Sequence, residues 1–144
     1  MTAYYADGQD GTTGQLRAQS TVFAMSGTYT AAVTTAVVDD DTIEFMTVPA
    51  GYAVVGCSIV NSAIQTASTT SVMDVGTAAS PLALISDQDL KLAGFQSSPA
   101  TMVGLPALTT DQIIIGTYDT GAGTLTQTVG GTITVTVWLA KAHG

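Results

Sequence analysis

The sequence predicts an all-β chain: an antiparallel β-sandwich, jelly-roll-like, with an extended N-terminal arm. Three observations carry this. Apolar residues alternate with polar ones in short runs, the two-residue period of a half-buried strand. Threonine and valine are abundant, and both pack well on a pleated surface. Turn residues recur at close spacing, and nothing resembles the long helical stretches that βαβ units require. At 144 residues the chain is one domain's worth. We place residues 1–20 in an irregular arm and residues 21–144 in one β-sandwich domain.

The arm is assigned because residues 1–20 are rich in glycine and polar side chains and show no apolar period, which begins near Val22. Strands are expected at Thr21–Met25, Thr28–Val38, Thr42–Val48 and Tyr52–Val60. The last two flank Pro49-Ala50-Gly51, a turn in which proline fixes φ and glycine takes the strained position. Further strands are expected at Ser71–Val75, Leu82–Ile85 and Gln112–Tyr118. Ser86 to Gly94 has the marks of one helical turn, with Ser86 as N-cap, acids in the first turn and Gly94 as stop. The clearest strand is Thr132–Leu139, where Ile133, Val135, Val137 and Leu139 share one face and three threonines and Trp138 the other. Gly130-Gly131 before it, preceded by Thr124–Val129, predicts a C-terminal hairpin.

Only 10% of the residues are charged, against about 25% in ordinary soluble domains, while 46% are hydrophobic. Disordered chains show the opposite balance, so this one should fold. Three basic residues (Arg17, Lys91, Lys141) face eleven acidic ones, a net charge of -8. That excludes nucleic acid and anionic membrane surfaces as partners, since both need clustered cations. Mean hydropathy is +0.38, yet the most apolar run, Ala53 to Val60, is broken by Gly56 and Ser58 and falls far short of the roughly 18 residues a spanning helix needs. The opening residues lack a basic and then apolar run, so no secretory signal is expected and synthesis is placed in the cytoplasm. Cys57 is the only cysteine, which rules out an intramolecular disulfide; its apolar setting predicts a buried thiol.

Candidate chemistry is sparse. Asp119-Thr120-Gly121 after an apolar strand resembles the active-site loop of aspartic proteases, whose paired carboxylates share a proton. The likeness stops there, because the apolar run Ile113–Ile115 precedes the motif and only a hairpin follows; a glycine-rich turn is the alternative. Asp39-Asp40-Asp41 with Glu44 offers carboxylates for calcium but lacks the spacing of a calcium loop, leaving a solvated turn as the alternative. The only histidine, His143, adjoins the C-terminal Gly144, so nucleophilic triads have no rigid base. Gly121-Ala122-Gly123 and Gly130-Gly131 lack the lysine of a phosphate cradle. The aromatics Tyr4, Tyr5, Tyr29, Tyr52, Tyr118 and Trp138 would form a sugar platform only if the fold gathered them. We assign no catalytic residue, no cofactor and no metal ligand. A surface this poor in charge suits a building block that oligomerises or docks on a larger assembly.

The run Asp41-Thr42-Ile43-Glu44 to Val48-Pro49-Ala50-Gly51-Tyr52-Ala53-Val54-Val55-Gly56, then Val72-Met73-Asp74-Val75-Gly76, resembles small virion proteins of tailed bacteriophages. Leu90 to Gly94, Leu108-Thr109-Thr110-Asp111-Gln112-Ile113-Ile114 and the closing Gly131–Val137 strand continue the likeness in order, over roughly residues 40 to 140. The resemblance implies a capsid decoration, or cement, protein. Such proteins are β-sandwiches, often homotrimers, on the outer face of the expanded head, where they clamp neighbouring major capsid subunits; the partners would be the major capsid protein and other copies of the chain. Head-fibre and tail-associated proteins share similar modules, so recognition of a host-surface glycan or protein stays open. As a decoration protein, the chain would reach over a capsid subunit with Tyr4, Tyr5, Leu16 and Arg17, aromatic and cationic anchors on a flexible arm.

Overall fold

The computed structural model describes residues 22–32, 36–66, 70–81, 84–97, 109–121 and 123–141. Ten strands form among them: β1 (Val22–Thr30), β2 (Ala36–Val37), β3 (Thr42–Val48), β4 (Tyr52–Asn61), β5 (Ser71–Gly76), β6 (Ile85–Asp89), β7 (Gly94–Ser97), β8 (Gln112–Thr120), β9 (Leu125–Thr126) and β10 (Thr132–Lys141). No described residue is helical. One four-stranded sheet has the order β1-β10-β4-β7 and the other β3-β8-β5-β6, with β2 and β9 paired separately. Every pairing is antiparallel. Among the eight strands of the two large sheets, the first pairs with the last (β1·β10), the second with the seventh (β3·β8), the third with the sixth (β4·β7) and the fourth with the fifth (β5·β6). That is an antiparallel ribbon wound back on itself, the strand order of a jelly roll.

The alternation legible in β10 drives the packing. Ile133, Val135, Val137 and Leu139 are all fully buried, together worth on the order of 6–12 kcal/mol of apolar transfer. They meet Val54, Cys57 and Ile59 of β4 within their own sheet, and Met73, Val75, Ile114 and Tyr118 from the facing one. The β10–β4 register shifts between Trp138 and Leu139. This bulge inserts Val55 and switches the parity of β4, so that Val54 on one side and Cys57 and Ile59 on the other all point inward. Burial pushes the Cys57 thiol up to about 12, which holds it protonated and inert.

The strand expected at Leu82–Ile85 begins only at Ile85, residues 82–83 lying outside the described ones, and three other expectations need correction. Thr21–Met25 and Thr28–Val38 are not two strands: β1 runs unbroken through Ser26-Gly27. Gly27 is a close approach rather than a break, since a Cβ there would run into the backbone of Phe45 on β3. The Ser86–Gly94 turn is not helical. It holds the end of β6, a connection and the start of β7, because the Asn61 amide donates to the carbonyls of Asp89 (3.1 Å) and Leu92 (3.0 Å), while the Asp89 carboxylate accepts the Lys91 N–H at 2.7 Å. The C-terminal hairpin also fails to form. The Gly131 N–H does close a turn onto the Thr128 carbonyl at 3.0 Å, but β9 pairs with β2 and β10 with β1 and β4. β10 carries more inward apolar surface and is drawn into the large sheet.

The turn at Pro49-Ala50-Gly51 is as expected: Gly51 has φ +90°, and the Ala50 N–H donates to the Asp111 carboxylate at 2.9 Å. Asp39 and Asp41 fasten the turn before β3. Asp39 accepts the Thr120 N–H at 3.0 Å and Asp41 that of Val38 at 2.8 Å.

Gly27→Ala should destabilise the fold by about 1–3 kcal/mol, the usual cost of overpacking, measured by chemical denaturation. A variant as stable as the parent would show that β1 and β3 can separate freely at Phe45.

Candidate functional site

The two sheets differ sharply in charge. Lys141, at the end of β10, is the only charged residue in the strands of the β1-β10-β4-β7 sheet. The strands of the other sheet carry Glu44, Asp74, Asp87, Asp89 and Asp119. The remaining described acids, Asp39 to Asp41 and Asp111, lie in the turns that lead directly into β3 and β8. The fold thus gathers every described carboxylate at one layer of the sandwich.

On the uncharged layer, strand alternation turns Ala24, Ser26 and Thr28 of β1 and Thr134, Thr136 and Trp138 of β10 to the outside. Hydroxyls facing each other across this ladder pair: Ser26 with Thr136 at 2.8 Å and Thr28 with Thr134 at 2.9 Å. Trp138 lies over Gly56 of β4, opposite it in the register. Around the indole, Val22, Val55, Gly56, Cys57 and Ser97 line a depression of about 320 Å³. Val60 and the 65% exposed Phe95 add apolar surface at the β7 edge.

On the acidic layer, Asp74, Asp87 and Asp119 bring one carboxylate oxygen each within 4.8 Å of the others. They are the described residues whose oxygens could surround a hard divalent cation. The Asp74 carboxyl accepts the Asp87 N–H at 2.9 Å. Its pKa is nonetheless raised, first by burial and then by the negative charges of Asp87 and Asp119, against the lowering by that hydrogen bond. Sequence reading missed this trio, since its members stand far apart in the chain and converge only through the pairing of β5 with β6 and β8. Thr42, Glu44, Asp111, Gln112 and Ile113 help to line a separate hollow of about 470 Å³.

The residues singled out by sequence are scattered. Asp119 sits within β8 on the outside of the sheet, ahead of the turn, and its neighbours are the other carboxylates of the trio. Asp39 and Asp41 serve as hydrogen-bond acceptors in their turn. Tyr29 donates to Gln127 at 2.7 Å, and Gln127 in turn donates to the buried Tyr118 hydroxyl, whose pKa burial raises. Tyr52 packs edge-on against Phe23, with centroids 5.3 Å apart. The described aromatics therefore form no single platform. Tyr4, Tyr5, Leu16, Arg17 and His143 lie outside the described residues.

No family model and no curated protein matches the sequence. Among solved structures, a chain of the cyanophage Pam1 capsid asymmetric unit superposes with a TM-score of 0.66 at 17% identity, over 86% of this chain and 87% of that one. A chain of the capsid of Ralstonia phage GP4 superposes with a TM-score of 0.65, also at 17% identity, over 100% of this chain and 92% of that one. The shared feature is the fold.

Because the Asp74 pKa is raised on folding, the ionised group weakens the fold at neutral pH, and that penalty disappears as pH falls through the raised pKa. Asp74→Asn keeps the acceptor for the Asp87 N–H and removes the charge. It should stabilise the protein at pH 7 by up to about 1 kcal/mol, the scale of partly screened surface charges, with the gain shrinking towards pH 4. Thermal midpoints across that range check it; a gain independent of pH would mean that charge is not the cause.

Proposed function

We infer that this chain is a structural virion protein of a tailed bacteriophage, a decoration or cement protein that binds the outer surface of the capsid and stabilises it without catalysis. The observation that carries this is the jelly-roll fold, matched over nearly the whole chain to chains from two phage capsids. Two features of the chain support it. A net charge of -8 disfavours a place beside packaged DNA and is tolerated on the outside of the head. One whole sheet presents an uncharged outer face, a surface suited to contact. The partners are then the major capsid protein and other copies of the chain, with the arm residues Tyr4, Tyr5, Leu16 and Arg17 reaching a capsid subunit.

The test is co-sedimentation of the purified chain with expanded heads of its phage prepared without it. Saturable binding at a fixed number of copies per capsid subunit is the expected result. Absence of binding would overturn the proposal and point to a fibre or tail module that recognises a host glycan or protein.

Removal of residues 1–18 should leave the circular dichroism spectrum and melting profile of the sandwich intact while weakening head binding. Full binding by the truncated chain would remove the arm from the contact.

A further inference from the structure

We propose that the outer face of the β1-β10-β4-β7 sheet is covered by a second copy of this chain. The occupant follows from charge. Each copy carries a net charge of -8, and every described carboxylate belongs to the other sheet or its turns. Two like-charged copies repel through their acidic layers, whereas a cationic partner would be drawn to those layers and not to this one. The uncharged face is where the chain can meet itself with least repulsion.

The face is also built to lose water cheaply. Its central hydroxyls already pair with each other, Ser26 with Thr136 and Thr28 with Thr134, so a flat partner would strand few donors. Exposed apolar side chains stand at its two ends, Val22 (50%) near Trp138 (38%) and Val60 (49%) beside Phe95 (65%). Strand lengths and a spacing of about 4.8 Å give a projected area of roughly 500 Å². Two such faces laid together bury on the order of 1,000 Å², the lower bound for a specific interface.

Trp138 is the only tryptophan in the chain, so its fluorescence reports this face directly. Sedimentation equilibrium of the full chain should show an oligomer that dissociates on dilution, and acrylamide should quench Trp138 more strongly as it dissociates. Thr136→Glu places like charges across the proposed contact and should weaken association about a hundredfold or more, while Thr47→Glu on the exposed side of β3 leaves it unchanged. If Thr136→Glu does not fold, the quenching of the unmodified chain decides alone. A monomer at every concentration, or an oligomer whose dissociation leaves Trp138 quenching constant, would overturn the proposal. The inference deepens the decoration reading by naming the self-association surface, and the two fail separately. Heads bound by a monomeric chain would end this one alone, and an oligomer with shielded Trp138 that ignores heads would end the other alone.

Discussion

The seating of β10 between β1 and β4 is the constraint on which the structure depends. It joins the last strand to the first, across more than a hundred residues of sequence at Ser26 and Thr136, and it supplies four fully buried side chains to the core. The apolar transfer at those four positions, on the order of 6–12 kcal/mol, is as large as the net stability of a whole domain, about 5–15 kcal/mol. Once the ends are joined in this way, the chain between them must fold back as a ribbon, and the remaining pairings of the jelly roll follow from strand order. The same long-range closure implies slow folding, because the entropy of closing so large a loop is lost before the contacts that offset it are made.

What the sequence made legible was whatever depends on neighbours along the chain. β3 has its expected bounds, and β4, β5, β8 and β10 lie where alternation placed them, each extending slightly further. The rest depends on residues brought from elsewhere. Gly27 looks like a strand break until Phe45 is known to pass against it. Ser86 to Gly94 satisfies the local rules for a helical turn, yet those rules know nothing of Asn61, whose amide donates to Asp89 and Leu92 and whose carbonyl accepts from the buried Gln88 at 2.6 Å. The Gly130-Gly131 hairpin likewise lost to a partner choice that only the inward face of β10 explains.

Charge was legible as a total and illegible as a distribution. The described acids are spread along the chain from Asp39 to Asp119, and the jelly-roll order sends alternate stretches to different sheets, so carboxylates that look dispersed in sequence arrive on one layer. The same sorting creates the Asp74, Asp87 and Asp119 trio, where burial and mutual repulsion work against the fold. It also leaves the strands of the opposite layer without a carboxylate. Neither the trio nor the uncharged face leaves a local signature, because each is a property of which strands become neighbours.

A few polar side chains hold strands and turns in place. Gln127 ties Tyr29 to Tyr118, Asn61 ties β4 to the connection between β6 and β7, and Asp39 and Asp41 tie the turn before β3 to its neighbours. Burial also holds Cys57 protonated. What distinguishes the molecule is the contrast between its two outer faces. An acidic layer repels like-charged molecules and the opposite layer does so least, so the order of the strands already sets which side of the molecule bears its negative charge.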